Sequence, residues 1–247
     1  MPRIYVEKNE ISGDSITVTG ENAKHISRSL RMRVGDELWL CDGERTDYKG
    51  VIEGFTAQSV SVRILCSERS KGEPPYKARL FMALPKSDKM ELIVQKAVEM
   101  GVYEIVPFLS ERCISRPDEA SGQKKVERWN KIAKSAAEQS GRGMIPQVHA
   151  IVSYKEALKM AKKDEIGFIC YECERENGLY KRLLNVGTED KNIGISFFVG
   201  AEGGFSEGEV ALAVAEGIAP ITLGKRILRC ETAPFFVLSV MSAVLDE

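Results

Sequence analysis

Two glycine-rich turns near the end of the chain bring together residues that could bind a small molecule. They span residues 199–205 and 223–233, and each follows an apolar run typical of a buried strand and precedes a predicted helix. Because strand-to-helix turns of a parallel sheet lie at the carboxyl ends of the strands, these turns predict a pocket lined by backbone groups. Gly203 and Gly204 can adopt positive φ or let a ligand approach the backbone. The alternative is a tight connection into a well-capped helix.

The spacing of the glycines limits what such a pocket could hold. Segment 200–204 lacks the second glycine of the G-x-G-x-x-G dinucleotide fingerprint, and the phosphate-loop pattern G-x-x-x-x-G-K-[ST] does not occur. A nicotinamide-dependent dehydrogenase is therefore disfavoured. The second turn carries Lys225, Arg226 and Arg229. Three cations beside a pocket favour an anionic substrate, with a solvated loop as the alternative.

Alternating strands and helices are predicted to position these turns. From about residue 78 the pattern predicts an α/β domain with a mostly parallel sheet. Capping boxes are predicted at Asp88 with Glu91 and at Ser206 with Glu209, and Thr232 is predicted to cap the last helix. The predicted strands are 79–84, 104–108, 166–171, 193–199 and 219–223, and the predicted helices are 89–100, 124–140, 154–163, 176–185, 207–216 and 233–245.

The first part of the chain has a different pattern. Residues 1–70 contain short β-branched segments separated by turn residues, which predicts a small antiparallel barrel or sandwich. Residues 71–77 form a predicted linker to a second domain, residues 78–247. The amphipathic stretch 23–32 predicts a helix, on which positions 24, 28 and 31 share one face. Its charged and histidine side chains are Lys24, His25, Arg28, Arg31 and Arg33, and an ordinary solvated helix face is the alternative to a binding surface.

Composition excludes several classes of protein. The 247 residues carry a formal net charge of −1, so nucleic-acid binding would depend on a local basic patch. Six scattered cysteines favour free thiols in a reducing cytoplasm, and two histidines argue against a multi-histidine metal site. Cys170 and Cys173 have C-x-x-C spacing without a second such pair, so no metal is predicted. Neither a secretory signal nor a membrane span is predicted, and we expect a cytoplasmic location.

Several different short segments, which follow one another over most of the chain, carry a resemblance to a known family. They are His25 with 28–31 and 35–36, Lys96 with Glu99 and 101–102, Pro107 with 111–112, 138–140 with Arg142 and Pro146, 199–204, 223–224, 226–229 and 231–233. Together they resemble the SPOUT-superfamily methyltransferases that modify N3 of a uridine in 16S ribosomal RNA. Ala201 and Cys230 stand where this family usually has proline and threonine or another small residue. Neither side chain need touch the transferred methyl group.

The resemblance implies a fold, a cofactor and partners. Residues 78–247 would form an α/β trefoil-knot (SPOUT) methyltransferase domain, and residues 1–70 a PUA-like β-barrel that binds RNA. The cofactor would be S-adenosyl-L-methionine, the partner would be 16S rRNA in the small ribosomal subunit, and the apolar last helix would pair two copies into a homodimer. Another SPOUT enzyme, acting on a ribose 2′-hydroxyl or on tRNA, is the alternative, as is a non-catalytic assembly factor that binds ribosomal RNA.

The resemblance also implies roles for individual residues. Arg229 and Arg226 are the predicted catalytic cations for the developing uridine anion, although they could equally clamp a phosphate. Glu202 or Glu231 could accept the N3 proton, with unassisted proton loss as the alternative. The predicted cofactor-binding residues are Tyr171, Glu172, Val199, Gly200, Glu202, Gly203, Gly204, Leu223, Gly224, Arg226, Ile227 and Leu228. The predicted RNA-binding residues are Lys24, His25, Arg28, Arg31, Arg33, Arg112 and Arg142, and Arg116 could extend that surface.

Overall fold

The computed structural model describes residues 3–186 and 192–246. It divides into two compact units, one formed by Met1–Glu73 with Ala137–Ile145 and the other by Pro74–Ala136 with Pro146–Glu247. The predicted linker, residues 71–77, spans the division at Glu73, but the sequence gives no sign that residues 137–145 belong with the first unit. Within the described ranges, no helix is both long and apolar enough to cross a membrane.

The first unit is built on one six-stranded sheet with the order β1-β4-β5-β6-β3-β2. Its core comes from alternating positions such as Ile16 and Val18, which are buried while their neighbours in the strand are exposed, and from Leu38 and Leu40, which are buried on either side of the less buried Trp39. The strands are β1 Arg3–Tyr5, β2 Ile11–Ser12, β3 Ser15–Thr19, β4 Glu37–Cys41, β5 Thr46–Phe55 and β6 Ser59–Arg69. Neighbouring strands are antiparallel except for β1 and β4, which are parallel.

The basic stretch of the first unit departs from the predicted helix. A short helix α1, Gly20–Lys24, continues into a π-helical turn, His25–Ser29, and Ala23 and Ile26 anchor the two in the core. Arg31 lies beyond this turn with φ of 52°. The wider π turn and the left-handed residue change the direction of the side chains, so the prediction that positions 24, 28 and 31 share a helix face is wrong.

The second unit has a seven-stranded sheet in which every pairing is parallel, as predicted. Its order is β10-β8-β7-β12-β11-β13, with β9 beside β8. The strands are β7 Lys77–Ala83, β8 Glu104–Leu109, β9 Gln147–Val148, β10 Val152–Ser153, β11 Ile166–Cys170, β12 Gly194–Val199 and β13 Ala219–Ile221. This order brings the carboxyl ends of β7, β12, β11 and β13 to one edge of the sheet.

Helices follow the strands of this sheet at nearly the predicted positions. They are α2 Lys89–Glu99, α3 Glu119–Ser140, α4 Tyr154–Ala161, α5 Leu179–Leu184, α6 Glu207–Ala215 and α7 Thr232–Leu245. Helix α3 begins five residues earlier than predicted, because residues 119–123 continue the helix although they lack the apolar periodicity. Helix α5 is shorter than predicted, since residues 174–177 fold into a turn around the Glu174 carboxylate.

The predicted helix caps have mixed outcomes. Ser206 and Glu209 form the predicted capping box at α6. The box at Asp88 is wrong, because Asp88 has φ −90° and ψ 10° rather than the extended backbone that turns a cap side chain toward the helix. Thr232 is the first residue of α7 and not its cap. Instead, the carbonyl of Arg229 accepts hydrogen bonds from the N–H groups of Thr232 and Ala233.

A buried ion pair ties residues 137–145 to the rest of the first unit. The Arg142 guanidinium donates two hydrogen bonds to the Glu73 carboxylate, each 2.8 Å long, and the two side chains are only 3% and 4% exposed. Glu73 also accepts from the Gly143 N–H, and the Tyr5 hydroxyl donates to the Arg142 carbonyl. The prediction that Arg142 binds RNA is therefore not supported, because its charge is already neutralised away from solvent.

The charge-conserving substitution Arg142→Lys tests this structural role. We expect it to lower the free energy of unfolding by about 1.5–3 kcal/mol, because an ammonium group cannot reproduce the two parallel bonds to Glu73. Urea denaturation measures the change. Arg28→Lys, an exposed arginine in the same unit, is the control and should unfold like the wild type. Equal stability of both variants would contradict the structural role.

Candidate functional site

The four neighbouring strand ends carry loops that surround a cavity of about 580 Å³. This volume suits a small-molecule ligand. All the residues predicted to bind the cofactor line it, as do the predicted catalytic residues Arg226, Arg229 and Glu202, whereas the alternative base Glu231 is not in its lining. The lining residues that the sequence did not predict to bind the cofactor or to act in catalysis include Lys89, Cys170, Arg175, Thr222, Cys230 and Ala233.

Backbone hydrogen bonds join two of these loops side by side. The Tyr171 N–H donates to the Ile221 carbonyl at 3.0 Å, and the Thr222 N–H donates to the Asn177 carbonyl at 2.9 Å. Leu179 then donates back to Thr222. The segment after β11 therefore holds the start of the second glycine-rich turn, which explains how residues 171–172 and 222–228 reach one cavity.

The first glycine-rich turn is tightly packed at two of its glycines. Gly204 has φ of 64°, and a Cβ added there would lie 2.6 Å from Oε1 of Glu172. A Cβ added at Gly200 would lie 3.0 Å from the Gly204 backbone. The positive φ favours glycine at position 204, where the Glu172 carboxylate lies against the backbone, and a side chain at Gly200 would press on the Gly204 backbone.

Lys89, which lines the cavity, links the lining carboxylate of Glu202 to the neighbouring carboxylate of Glu231. Lys89 Nζ lies 2.8 Å from Oε1 of Glu202 and 3.4 Å from Oε2 of Glu231. It also donates to Cys230 Sγ at 3.9 Å. Lys89 is distant from both turns in sequence, and it could have been found only by noticing that it follows the strand that lies beside β12.

These contacts weigh against Glu202 as a general base. Burial alone would raise the pKa of the Glu202 carboxyl, but hydrogen bonds from Lys89 and from the Lys86 N–H outweigh it and lower the pKa below its usual value. Burial would also raise the pKa of the Glu231 carboxyl. Its own backbone, a hydrogen bond from Cys230 and the Lys89 cation outweigh burial and lower that pKa. Both carboxylates are therefore ionised at neutral pH, but their lowered pKa values make them weak proton acceptors.

The second turn supplies cations to the cavity lining. Lys225, Arg226 and Arg229 are exposed; the Arg229 side chain is 85% exposed, and its guanidinium lies 4.0 Å from the Glu231 carboxylate. Ile227, between them, is 85% exposed as well. An exposed run of cations with one apolar side chain can contact a phosphate and the face of a base.

The remaining predicted RNA-binding residues fall into two groups. Arg112 lies beside the first turn, where Nη1 donates to the Gly203 carbonyl at 2.8 Å, and Arg116 donates to the carbonyls of Ser110 and Glu111. The residues of the basic stretch in the first unit are all exposed, and Lys24 pairs with Glu21.

In the part of the chain that the structure describes, no group of three or more His, Cys, Asp or Glu could hold a metal ion.

The thiol of Cys230 gives a test of the cavity's electrostatics. Burial, reinforced by the hydrogen bond to Glu231, raises the pKa of this thiol to about 12. It should stay protonated and resist iodoacetamide at about pH 8, whereas the exposed Cys66 and Cys173 should react. Peptide mass spectrometry after a timed reaction measures this. Labelling of Cys230 as fast as that of Cys173 would contradict the described environment.

The cavity also fits the predicted cofactor. S-adenosylmethionine carries a sulfonium cation, which carboxylates attract. Glu172 and Glu202 line the cavity, and Glu231 contacts the lining residue Lys89. The backbone groups of the two glycine-rich turns are available for the adenine and amino-acid parts. The sheet, the turns and the cavity together have the form of a methyltransferase.

Comparison with known proteins defines the class as RNA methyltransferases. The RNA methyltransferase domain family matches residues 72–242, and the RNA methyltransferase PUA domain family matches residues 18–65. The ribosomal RNA small subunit methyltransferase E of Bacillus subtilis is 32% identical over 98% of this chain and 96% of its own length. That of Mesomycoplasma hyopneumoniae is 33% identical over 97% of this chain and 98% of its own length.

A solved structure agrees with these relatives. Ribosomal RNA small subunit methyltransferase E from Neisseria gonorrhoeae, bound to S-adenosyl methionine, has a TM-score of 0.81 and 31% identity, and covers 98% of this chain and 97% of its own. The chain belongs to the ribosomal RNA small subunit methyltransferase E family. The predicted enzyme class, an rRNA methyltransferase, and the predicted cofactor, S-adenosylmethionine, are confirmed.

Proposed function

We propose that this enzyme methylates N3 of a uridine in 16S rRNA of the small ribosomal subunit. The observation that carries the proposal is the composition of the cavity, in which the glycine turns and the side chains of Glu172 and Glu202 lie together with the cations Lys225, Arg226 and Arg229. The relatives named for the small ribosomal subunit support the choice of RNA.

The chemistry sets requirements that these residues can meet. Uridine N3 carries a proton and faces its pairing partner in a duplex, so the base must be unpaired and turned into the cavity. When bound, S-adenosylmethionine supplies the electrophilic methyl group, so that the N3–carbon bond forms as the sulfur–carbon bond breaks. The N3 proton leaves to solvent in this proposal, because the lowered pKa values of Glu202 and Glu231 and their contacts with Lys89 make both carboxylates weak bases. Arg229 and Arg226 would stabilise the negative charge that develops on the uracil oxygens.

The first unit would bind the RNA around the target nucleotide. Its basic stretch is exposed, and Arg31 is held in a left-handed conformation that few non-glycine residues adopt. Strained exposed residues cluster at binding sites. Contacts to RNA phosphates would make the affinity fall as the salt concentration rises.

The knot, the dimer and the location belong to the same proposal. The adjacent segments after β11 and β13, and the packing of α7 against α2 and α5, support a knotted C-terminal segment.

Tyr180 and Leu184 of α5 and Phe236 of α7 are exposed apolar side chains, which supports a homodimer formed through α5 and α7. Light scattering coupled to gel filtration tests the dimer. A substrate in the ribosomal subunit implies a cytoplasmic location.

The test is methyl transfer from labelled S-adenosylmethionine to small subunits that lack the modification, with the product nucleoside identified by mass spectrometry. N3-methyluridine supports the proposal. A 2′-O-methylated nucleoside, or transfer to tRNA instead, would replace it with another reaction of this superfamily. Cofactor binding without transfer to any RNA would favour a non-catalytic assembly factor. Protein-free 16S rRNA, assayed in parallel, shows whether the assembled subunit is required.

A further inference from the structure

Lys89 occupies a position that is unfavourable for its own helix. It is the first residue of α2, where the positive end of the helix dipole disfavours a cation. Ser87, two residues before Lys89, has φ of 54°, which is strained for a residue other than glycine. Local features that oppose the fold are expected where function requires them. The contacts of Lys89 point to that function.

The ammonium group of Lys89 connects three separate segments of the cavity. It belongs to the loop-to-helix junction after β7, and it binds Glu202 of the first glycine-rich turn and Glu231 at the end of the second. The Lys86 N–H adds a hydrogen bond to Glu202 from the same junction. The side chain of Lys89 is about one-third exposed, and that of Glu231 is less exposed. Lys89 therefore fixes both turns to the strand that lies next to β12.

We propose that Lys89 is a positioning residue for methyl transfer, whose ammonium group holds the two glycine-rich turns together in the geometry that binds the cofactor. The inference deepens the proposed function, since it concerns the same cavity. It assigns Lys89 no contact with RNA or with the methyl group. It also gives a role to two ionised carboxylates that are not needed as bases, that of Glu202 in the cavity lining and that of Glu231 beside Lys89.

The proposal has an electrostatic consequence. The oxygens of Glu202 and Glu231 that bind Lys89 lie within about 6 Å of each other, and without the cation two such carboxylates repel, which raises the pKa of one of them. At neutral pH the turns of a Lys89→Met protein would be pushed apart. At lower pH, a proton bound by Glu202 or Glu231 would remove their repulsion and let the two side chains hydrogen-bond, which would restore part of the attraction that Lys89 supplies in the wild type.

Calorimetric binding of S-adenosylmethionine and of its demethylated product, S-adenosylhomocysteine, tests the proposal in the full chain. For Lys89→Met we expect about tenfold weaker binding of both ligands at neutral pH, since both need the positioned turns. As the pH falls toward about 5, the Lys89→Met protein should regain affinity for S-adenosylhomocysteine, whose sulfur is uncharged. The affinity of the wild type for this product should not rise over the same pH range. Lys89→Arg should restore most of the affinity. Lys96→Met is the matched control, because Lys96 lies on the same helix, pairs with Glu99 and does not line the cavity.

The two ligands separate positioning from simple charge effects. Removing a cation that acts only through its charge would strengthen binding of the sulfonium ligand and leave the product unchanged, and that result would overturn the proposal. Unchanged binding of both ligands would also overturn it. Circular dichroism of Lys89→Met and Lys89→Arg checks that the variants fold. Because these assays contain no RNA, a wild type that binds the cofactor but fails to modify uridine would defeat only the proposed function.

Discussion

A Gly204→Val protein is expected to bind S-adenosylmethionine at least about a hundredfold more weakly than the wild type. Gly204 has φ of 64°, a conformation that strongly disfavours a β-branched residue. The added Cβ would also lie 2.6 Å and 3.0 Å from the two carboxylate oxygens of Glu172. Either the turn or Glu172 must move, and both line the cavity. Isothermal titration calorimetry with the cofactor alone measures the loss.

Gly217→Val is the matched control for this substitution. Gly217 also has positive φ, 83°, but it follows α6 and does not line the cavity. A Cβ built there meets no described heavy atom within 4 Å beyond its chain neighbours. The control therefore reproduces the backbone strain without the clash, and we expect it to lose stability while keeping cofactor affinity. Equal losses of affinity in the two variants would mean that strain, and not the shape of the cavity, limits binding.

The turn that contains Gly204 illustrates what the sequence could predict. Glycine spacing and apolar strands are local signals, and they located both turns, the parallel sheet and the cavity lining of residues 199–204 and 223–228. The capping box of Ser206 was equally local and equally correct. At Asp88 the same signal failed, because the backbone there follows the strained Ser87 and not the cap preference of its side chain.

Contacts between residues distant in sequence could not be predicted. Lys89 meets Glu202 and Glu231 only because β7 lies beside β12 in the sheet order. Arg142 resembled an RNA-binding arginine in the sequence, but its segment returns to the first unit and pairs with Glu73. The charge of a residue is visible in a sequence, whereas the partner that neutralises the charge is not.

Arg229→Ala is expected to lower kcat for methylation of the small subunit by about a hundredfold to a thousandfold, as loss of one donor to a developing anion does. Affinity for S-adenosylmethionine should stay close to that of the wild type. The Arg229 side chain is 85% exposed and its guanidinium lies 4.0 Å from Glu231, so its removal costs the fold little. The part of Arg229 that supports α7 is its carbonyl group, which alanine retains. Single-turnover methylation with saturating subunits measures the effect.

Whether Arg229→Ala raises KM or lowers kcat distinguishes two possible roles of the Arg229 guanidinium. If the guanidinium clamps a phosphate beside the target, KM for the subunit rises while kcat is kept, because the contact is the same in the ground state and the transition state. If it stabilises the uridine anion, kcat falls and higher pH partly compensates, since more N3 is then deprotonated. Arg128→Ala is the control: Arg128 is exposed, is paired with one carboxylate, Glu91, and is absent from the cavity lining. An Arg229→Ala enzyme as active as this control would remove Arg229 from the mechanism and leave Arg226 as the candidate cation.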